Sequence, residues 1–198
     1  MAAEKVLFIK GLPALAKETA LLGKNILNNE VDTSLGIAAE NGGRRQVQKK
    51  WTSPSQDKNI LAKPGGTKTK INYNDPDLDN IRSLIKGNEA AEVLAKAGYK
   101  IEQNPKVVGS KNPDYLIEGE VFDCYSPKEG TSVRNISSNI TKKITSGQTD
   151  RIILNLNDWH GGGEDINKLI EQLNRWPITG LKEVKVINHY HEVIDIYP

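Results

Sequence analysis

Two aspartates, Asp114 and Asp123, are the residues of this chain whose type and spacing most clearly indicate chemistry. The segment between them has the pattern of two short strands joined by Glu118-Gly119, a dipeptide suited to a two-residue hairpin turn. In that register Asp114 lies opposite Asp123, with Cβ atoms about 5 Å apart on one face of the sheet. Like charges placed opposite each other destabilise a hairpin, whereas a bound divalent cation turns the repulsion into ligation. The spacing therefore predicts a metal site.

A third acid for this site has two candidates on a helix that the pattern predicts over residues 77–97. Acidic residues and a proline mark its start, and Gly98 marks its end. Its alanines would let it lie close to a sheet, and it carries Glu89 and Glu92. Either carboxylate can complete a metal ligand set or orient a water molecule on the metal. An ordinary surface glutamate is the alternative for each.

A cation for the site comes from the helix predicted over residues 131–146. Its apolar residues recur at helical spacing and must face the sheet; they are Val133, Ile136, Ile140 and Ile144. At roughly 100° per residue, Lys142 then points towards solvent, whereas Lys143 lies on the flank of the stripe, within reach of the sheet edge. A lysine there can stabilise charge that develops on a phosphate. Further candidates for phosphate contacts are Lys128, Arg134 and Arg151.

Two carboxylates, a third acid and a lysine suit metal-assisted phosphodiester hydrolysis. The metal activates water and holds the phosphate oxygens, and the lysine neutralises the transition state. An acid pair can also serve a glycosidase. Asp114 and Asp123 are too close for the usual acid/base spacing of that class, and all three tryptophans lie outside the hairpin.

The composition is that of a soluble chain with one good core and room for a smaller unit: 198 residues, 37% hydrophobic and 26% charged. No apolar run approaches the roughly 20 residues of a transmembrane helix, so we expect no stable membrane anchor. The single Cys124 excludes an internal disulfide and is compatible with a reducing cytosol. Residues 41–72 hold eight Lys or Arg against one acid, which predicts either nucleic-acid contact or a solvated linker.

We place a domain boundary after residue 74, because glycines, prolines and lysines between 41 and 74 leave little to bury. Apolar residues at helical spacing predict a helix over 12–27. Residues 75–198 have the pattern helix, three strands, helix, strand, followed by a helix and two strands. This order predicts an α/β (α+β) domain with a mixed central sheet, preceded by a small, mainly helical domain in residues 1–74.

The order of elements, with Pro113-Asp114 at the second strand and Asp123 at the third, resembles the PD-(D/E)xK nuclease superfamily. Longer strings are more specific. Five of them look like the C-terminal toxin domains of CdiA proteins, which belong to contact-dependent growth inhibition systems; they occupy residues 97–105, 111–123, 133–136, 146–148 and 152–156. The likeness covers about residues 77–198.

The resemblance implies a metal-dependent RNase that cleaves tRNA, with Mg²⁺ expected and Mn²⁺ or Zn²⁺ as alternatives, and a cognate immunity protein that blocks it. Such a toxin is secreted as part of a cell-surface effector and acts in the cytoplasm of the target bacterium. Similar toxins carry a separate entry domain that uses an inner-membrane protein of the target cell. Residues 1–74 fit that place by position and composition.

Two positions depart from the patterns that the resemblance implies. The superfamily signature puts its lysine two residues after Asp123, where this chain has Tyr125. The toxin family takes the lysine from the following helix, which matches Lys143 better than Lys142. The family glutamate falls near Gly87, so Glu89 is its nearest substitute.

We therefore expect Asp114 and Asp123 to ligate the metal, Glu89 to assist and Lys143 to meet the phosphate. Substrate contacts are expected from Lys128, Arg134 and Lys142. Two alternatives stay open: a DNase toxin of the same fold, and a non-catalytic module that binds nucleic acid or protein.

Overall fold

The computed structural model describes residues 51–107, 112–159 and 163–198. They belong to a compact unit, Gln48–Pro198, and the other unit of the chain is Met1–Val47. The helix predicted over 12–27 falls in that other unit and lies outside the described residues. Within the described ranges, no helix has the length and apolar character needed to cross a bilayer.

A seven-stranded mixed sheet forms the centre of the described unit, and its spatial order follows the chain. Its strands are β1 Gly65–Gly66, β2 Ile101–Gln103, β3 Tyr115–Ile117, β4 Glu120–Tyr125, β5 Arg151–Asn155, β6 Glu183–Ile187 and β7 Val193–Tyr197. The pairs β2–β3, β3–β4 and β6–β7 are antiparallel, and the pairs β1–β2, β4–β5 and β5–β6 are parallel. The predicted class and mixed sheet are thereby confirmed.

Helices cover both faces of this sheet. They are α1 Leu78–Lys96, α2 Val133–Thr145 and α3 Gly163–Arg175. On one face, Ala90 and Leu94 of α1 join a buried cluster with Tyr115 and Phe122. On the other face, α2 buries the apolar stripe that the sequence predicts, which includes Ile136, Ile140 and Ile144. Because side chains alternate along a strand, Asp123 points to the face opposite Phe122 and so shares the face of α2.

The hairpin turn between β3 and β4 has the predicted two-residue form. Glu118 has φ 51° and Gly119 has φ 88°, the left-handed pair that a type I′ turn requires. A glutamate is strained in this conformation. Its carboxylate compensates by accepting hydrogen bonds from the backbone N–H of Lys100 at 2.7 Å and of Ser55 at 3.0 Å.

The segment that follows Trp51 lies against the sheet unit before α1 begins. The N–H of Gln56 donates to the carbonyl of Gly98, and that of Asn59 to the carbonyl of Lys96, both at 3.0 Å. A Cβ at position 98 would lie 2.2 Å from Gln56 O, so this approach requires glycine. The compact unit therefore begins before the boundary predicted at residue 74, and the entry and linker roles of residues 1–74 stay predictions.

Candidate active site

The hairpin brings Asp114 and Asp123 together, as the spacing predicts. Three predicted strand pairs are present: Tyr115–Phe122, Leu116–Val121 and Ile117–Glu120. The ladder ends there, and the predicted fourth pair is replaced by a side-chain contact. Asp114 Oδ2 accepts a hydrogen bond from the backbone N–H of Cys124 at 2.7 Å. This bond holds the Asp114 carboxyl against β4, next to Asp123.

The surroundings of this acid pair disfavour two negative charges. Asp123 is completely buried. Burial, followed by the adjacent carboxylate of Asp123, raises the pKa of Asp114 to about 7. With both acids ionised, Asp123 Oδ1 is buried without a hydrogen-bond partner in the described structure. The Asp114 carboxyl can donate to the Asp123 carboxylate when it is protonated. Since a buried polar atom left unpaired is unfavourable, this oxygen marks a position where a cation or a donor is needed.

Lys143 is the cation that the fold places at the pair. Its Nζ lies 2.6 Å from Asp123 Oδ2, and its side chain remains 26% exposed. The apolar stripe of α2 therefore selects Lys143 over Lys142 as the lysine that reaches the acids. One ammonium against two carboxylates leaves a net negative charge when both acids are ionised.

The donor set fits a hard divalent cation that uses few protein ligands. Mg²⁺ is commonly held by one or two carboxylates, with waters and substrate phosphates completing the octahedron. Asp114 and Asp123 supply two carboxylates, and when both are ionised Asp123 Oδ1 has no hydrogen-bond partner in the described structure. Across the described ranges, no group of three or more His, Cys, Asp or Glu side chains converges on one point. Among the residues that the structure describes, the site therefore has two acids and no third acid close to them.

Gly87 occupies the position beside Asp114 at which the resemblance calls for a glutamate. Both residues line a small cavity of about 50 Å³ next to Tyr115 and Gln103. A Cβ at Gly87 would lie 3.6 Å from the Tyr115 hydroxyl, an ordinary contact distance. The backbone position is thus adjacent to the acid pair, but it carries no carboxylate.

Glu89, the predicted substitute, lies in a different network. One carboxylate oxygen accepts from Asn157 Nδ2 at 2.7 Å and from Asn155 Nδ2 at 3.3 Å, and the other lies 2.9 Å from Lys86 Nζ. Glu92 pairs instead with Lys68 at 2.8 Å near the surface. Residues two apart on a helix do not share a face, which explains why Glu89 does not take the place of residue 87. Its assisting role stays a prediction.

Arg82 makes contacts beside β4 that no sequence pattern predicts. Its guanidinium donates to the carbonyls of Ser126 and Pro127, each at 2.9 Å, and to Asp158 Oδ2 at 3.0 Å. These bonds tie α1 to the segment that follows β4, the strand of Asp123. An arginine at helical spacing from other polar residues gives no local signal of such a contact.

The three predicted substrate-contact residues lie in different surroundings. Lys142 and Lys128 line a polar cavity of about 390 Å³ beside the hairpin. Lys128 also pairs with Asp79 at 2.5 Å, although both side chains are more than half exposed. Arg134 is exposed on the first turn of α2. The fold thus places two of the three lysine and arginine candidates at one cavity, which Tyr125 of β4 also lines.

Comparisons with known proteins identify the class to which this fold and site belong. The family model for the contact-dependent growth inhibition CdiA C-terminal domain matches residues 111–193, the range that includes both aspartates and Lys143. A chain of the solved CdiA-CT/CdiI toxin and immunity complex from Burkholderia pseudomallei is 40% identical. The match covers 69% of this chain and 99% of that one, with a TM-score of 0.62.

The chain therefore belongs to the family of CdiA C-terminal toxin domains of contact-dependent growth inhibition. Its sequence is also similar to tRNA nuclease CdiA-2 of Burkholderia pseudomallei strain 1026b, with 45% identity over 117 residues. That stretch is 59% of this chain and 4% of the relative's length. Membership of the PD-(D/E)xK superfamily stays a prediction.

Proposed function

We propose that this toxin domain is a metal-dependent RNase that hydrolyses phosphodiester bonds in tRNA of target bacteria. The observation that carries the proposal is the buried pair Asp114 and Asp123, in which one Asp123 oxygen lacks any partner among the described residues. The similarity to a protein named tRNA nuclease CdiA-2 supports tRNA as the substrate.

Each residue of the site has a role in this proposal. Asp114 and Asp123 hold the divalent metal, Mg²⁺ first and Mn²⁺ or Zn²⁺ as alternatives. The bound metal supplies Lewis-acid polarisation of the phosphate and a water of lowered pKa. Lys143, 2.6 Å from Asp123, neutralises charge that develops on the phosphate. Lys142, Lys128 and Arg134 hold neighbouring phosphates, and Glu89 acts through the polar network around Asn157.

The proposal extends to delivery and partners. The matched structure is a toxin and immunity complex, which supports a cognate immunity protein for this chain as well. Residues 1–74 contribute an entry region that engages an inner-membrane protein of the target cell. The domain is secreted as part of a cell-surface effector and acts in the cytoplasm of the target bacterium.

Cleavage of purified tRNA by the full chain tests the catalytic assignment. We expect cleavage with Mg²⁺ and none in EDTA, and we expect Asp114→Ala to reduce the rate by about 100-fold or more. Asp57→Ala, which removes an exposed acid before α1, is the matched control and should cleave like the wild type. Equal cleavage by wild type and Asp114→Ala would contradict the assignment.

A second candidate function is favoured by Gly87. With no glutamate at that position, the domain could bind nucleic acid without cutting it. Retained tRNA binding with no cleavage under any divalent metal would support this second candidate. Nicking of plasmid DNA in place of tRNA cleavage would instead identify a DNase.

A further inference from the structure

The polar cavity beside the hairpin has the size and position of a substrate subsite. Its volume of about 390 Å³ falls within the range of roughly 300–1,000 Å³ found for small-molecule sites. Tyr125 lines it and lies two residues after Asp123 on β4, so the two side chains share a face about 7 Å apart along the strand. Tyr125 therefore brings one wall of the cavity to within about 7 Å of Asp123 along the strand.

Helix α2 presents a second stripe to the cavity. Four of its polar residues line the cavity at positions i, i+3, i+4 and i+7, which places them on one side of the helix; they are Asn135, Ser138, Asn139 and Lys142. Lys142 has no ion pair in the described structure, so its ammonium is available to a phosphate. One helix thus buries an apolar stripe, directs Lys143 to the acid pair, and lines the cavity with amides, a hydroxyl and a cation.

The paired side chains of Tyr125 and Asn139 give the cavity a specific hydrogen-bonding capacity. Asn139 Nδ2 donates to the Tyr125 hydroxyl oxygen at 2.8 Å. The hydroxyl proton of Tyr125 and the carbonyl oxygen of Asn139 have no other partner within the described parts of the chain. One donor and one acceptor are therefore presented together, and a ribose 2′-hydroxyl, itself both acceptor and donor, complements them.

We propose that this cavity holds one ribonucleotide next to the scissile phosphate, with Tyr125 and Asn139 recognising its 2′-hydroxyl and Lys142 contacting its phosphate. The inference rests on the proposed nuclease function and adds to it the reason for choosing RNA over DNA. The ring of Tyr125 also provides a surface against which a base or ribose can pack.

Binding of short single-stranded oligomers tests this subsite without any cleavage. Fluorescence anisotropy in EDTA compares an RNA oligomer with the 2′-deoxy oligomer of the same sequence, both labelled at the 5′ end. We expect the wild type to prefer RNA by about two- to tenfold, the size of one neutral hydrogen bond. Tyr125→Phe keeps the ring and removes the donor, so it should abolish most of this preference by weakening RNA binding alone.

Matched variants separate recognition from general damage. Tyr190→Phe makes the same change at an exposed tyrosine between β6 and β7 and should keep the preference. Asn139→Ala removes the acceptor and should lose the preference as Tyr125→Phe does. Lys142→Gln should weaken RNA and DNA binding equally. The thermal unfolding midpoint of each variant shows whether it is folded.

The outcome is independent of whether the protein cuts tRNA, because binding is measured without metal. Equal binding of RNA and DNA by the wild type, or no binding of either oligomer, would overturn the subsite. The same conclusion would follow if Tyr125→Phe weakened both oligomers to the same degree. Failure of the proposed nuclease function would appear instead as absent cleavage with the RNA preference intact.

Discussion

Two clusters of buried charge lie in the same sheet and differ in how completely the chain neutralises them. At the first, Asp114 and Asp123 face one ammonium, and Asp123 Oδ1 has no partner in the described structure. At the second, on β6 and β7, the fully buried Lys185 lies 2.5 Å from Asp195 Oδ1 and 2.9 Å from Glu183 Oε1. We call these the acid pair and the Lys185 cluster.

The Lys185 cluster is completed by groups from distant parts of the chain. Glu183 accepts from the backbone N–H of Thr52 at 3.0 Å and from its hydroxyl at 2.7 Å, and Arg151 Nε lies 3.6 Å away. Burial alone would lower the pKa of Lys185, but its bonds and charge interactions with the two acids outweigh burial and raise the pKa. Every charge of this cluster has an opposite partner, which indicates a structural role.

Burial of charge therefore does not by itself identify a functional site. Where buried charges are paired within the chain, their ion pairs and hydrogen bonds connect distant segments, here Thr52 and β6. A chain that leaves buried carboxylates with a deficit of positive charge holds a site that an external cation can complete. Variants that alter one cluster at a time test this difference.

The largest effect is expected from removing the cation of the balanced cluster. Lys185→Met leaves Asp195 and Glu183 without their shared ammonium, so we expect the free energy of unfolding to fall by about 3–5 kcal/mol. Urea unfolding followed by circular dichroism measures the change. Lys182→Met, at a lysine whose side chain is 62% exposed, is the matched control and should change stability by less than about 1 kcal/mol. A Lys185→Met protein as stable as the control would show that the cluster contributes no net stability.

A smaller effect on the free energy of unfolding is expected at the acid pair. Here ionisation of a carboxyl destabilises the folded state. The pKa of Asp114 is about 7, above its ordinary value, so the folded state binds this proton more tightly than the unfolded chain does. Its contribution to stability is therefore complete below about pH 4 and is lost as the pH rises through 7, by on the order of a few kcal/mol. Urea unfolding in EDTA at several pH values checks this.

The comparison with Asp114→Asn isolates that contribution from all other titrating groups. The amide cannot ionise and can still accept the hydrogen bond from Cys124. We expect the variant to become more stable than the wild type as the pH rises from 4 to 8. A stability difference that stays constant over this range would contradict an elevated pKa at Asp114.

The smallest effect concerns the missing third acid. Gly87→Glu introduces a carboxylate beside Asp114, where the structure leaves room for a Cβ. We expect it to strengthen Mn²⁺ binding by about tenfold, because a further anionic ligand joins the site. Gly87→Ala, the matched control, should raise stability by roughly 0.5–1 kcal/mol through helix propensity and leave metal binding unchanged. A similar metal affinity in both variants would place residue 87 outside the metal's reach.

Local patterns predicted the acid pair, whereas long-range contacts could not be predicted. The turn at Glu118-Gly119 sets the hairpin register, and the stripe of α2 sets the direction of Lys143, because both depend on periodicity over a few residues. The bond between Thr52 and Glu183 joins residues 131 positions apart. No spacing rule indicates such a contact, so the sequence pattern alone predicts a linker after Trp51.

The third acid shows where helical periodicity was insufficient. Glu89 and Gly87 lie on the same helix, and the sequence pattern does not determine which side of α1 faces Asp114. The packing of Ala90 and Leu94 on Tyr115 and Phe122 fixes that rotation. It places Gly87 at the cavity and Glu89 in the network with Lys86 and Asn157.

Calorimetric titration with Mn²⁺ shows whether a divalent cation completes the acid pair. We expect the wild type to bind Mn²⁺ and Asp123→Asn to lose binding. Asp195→Asn, which alters the Lys185 cluster instead, should retain it. Absence of binding by the wild type, or equal binding by wild type and Asp123→Asn, would contradict the claim.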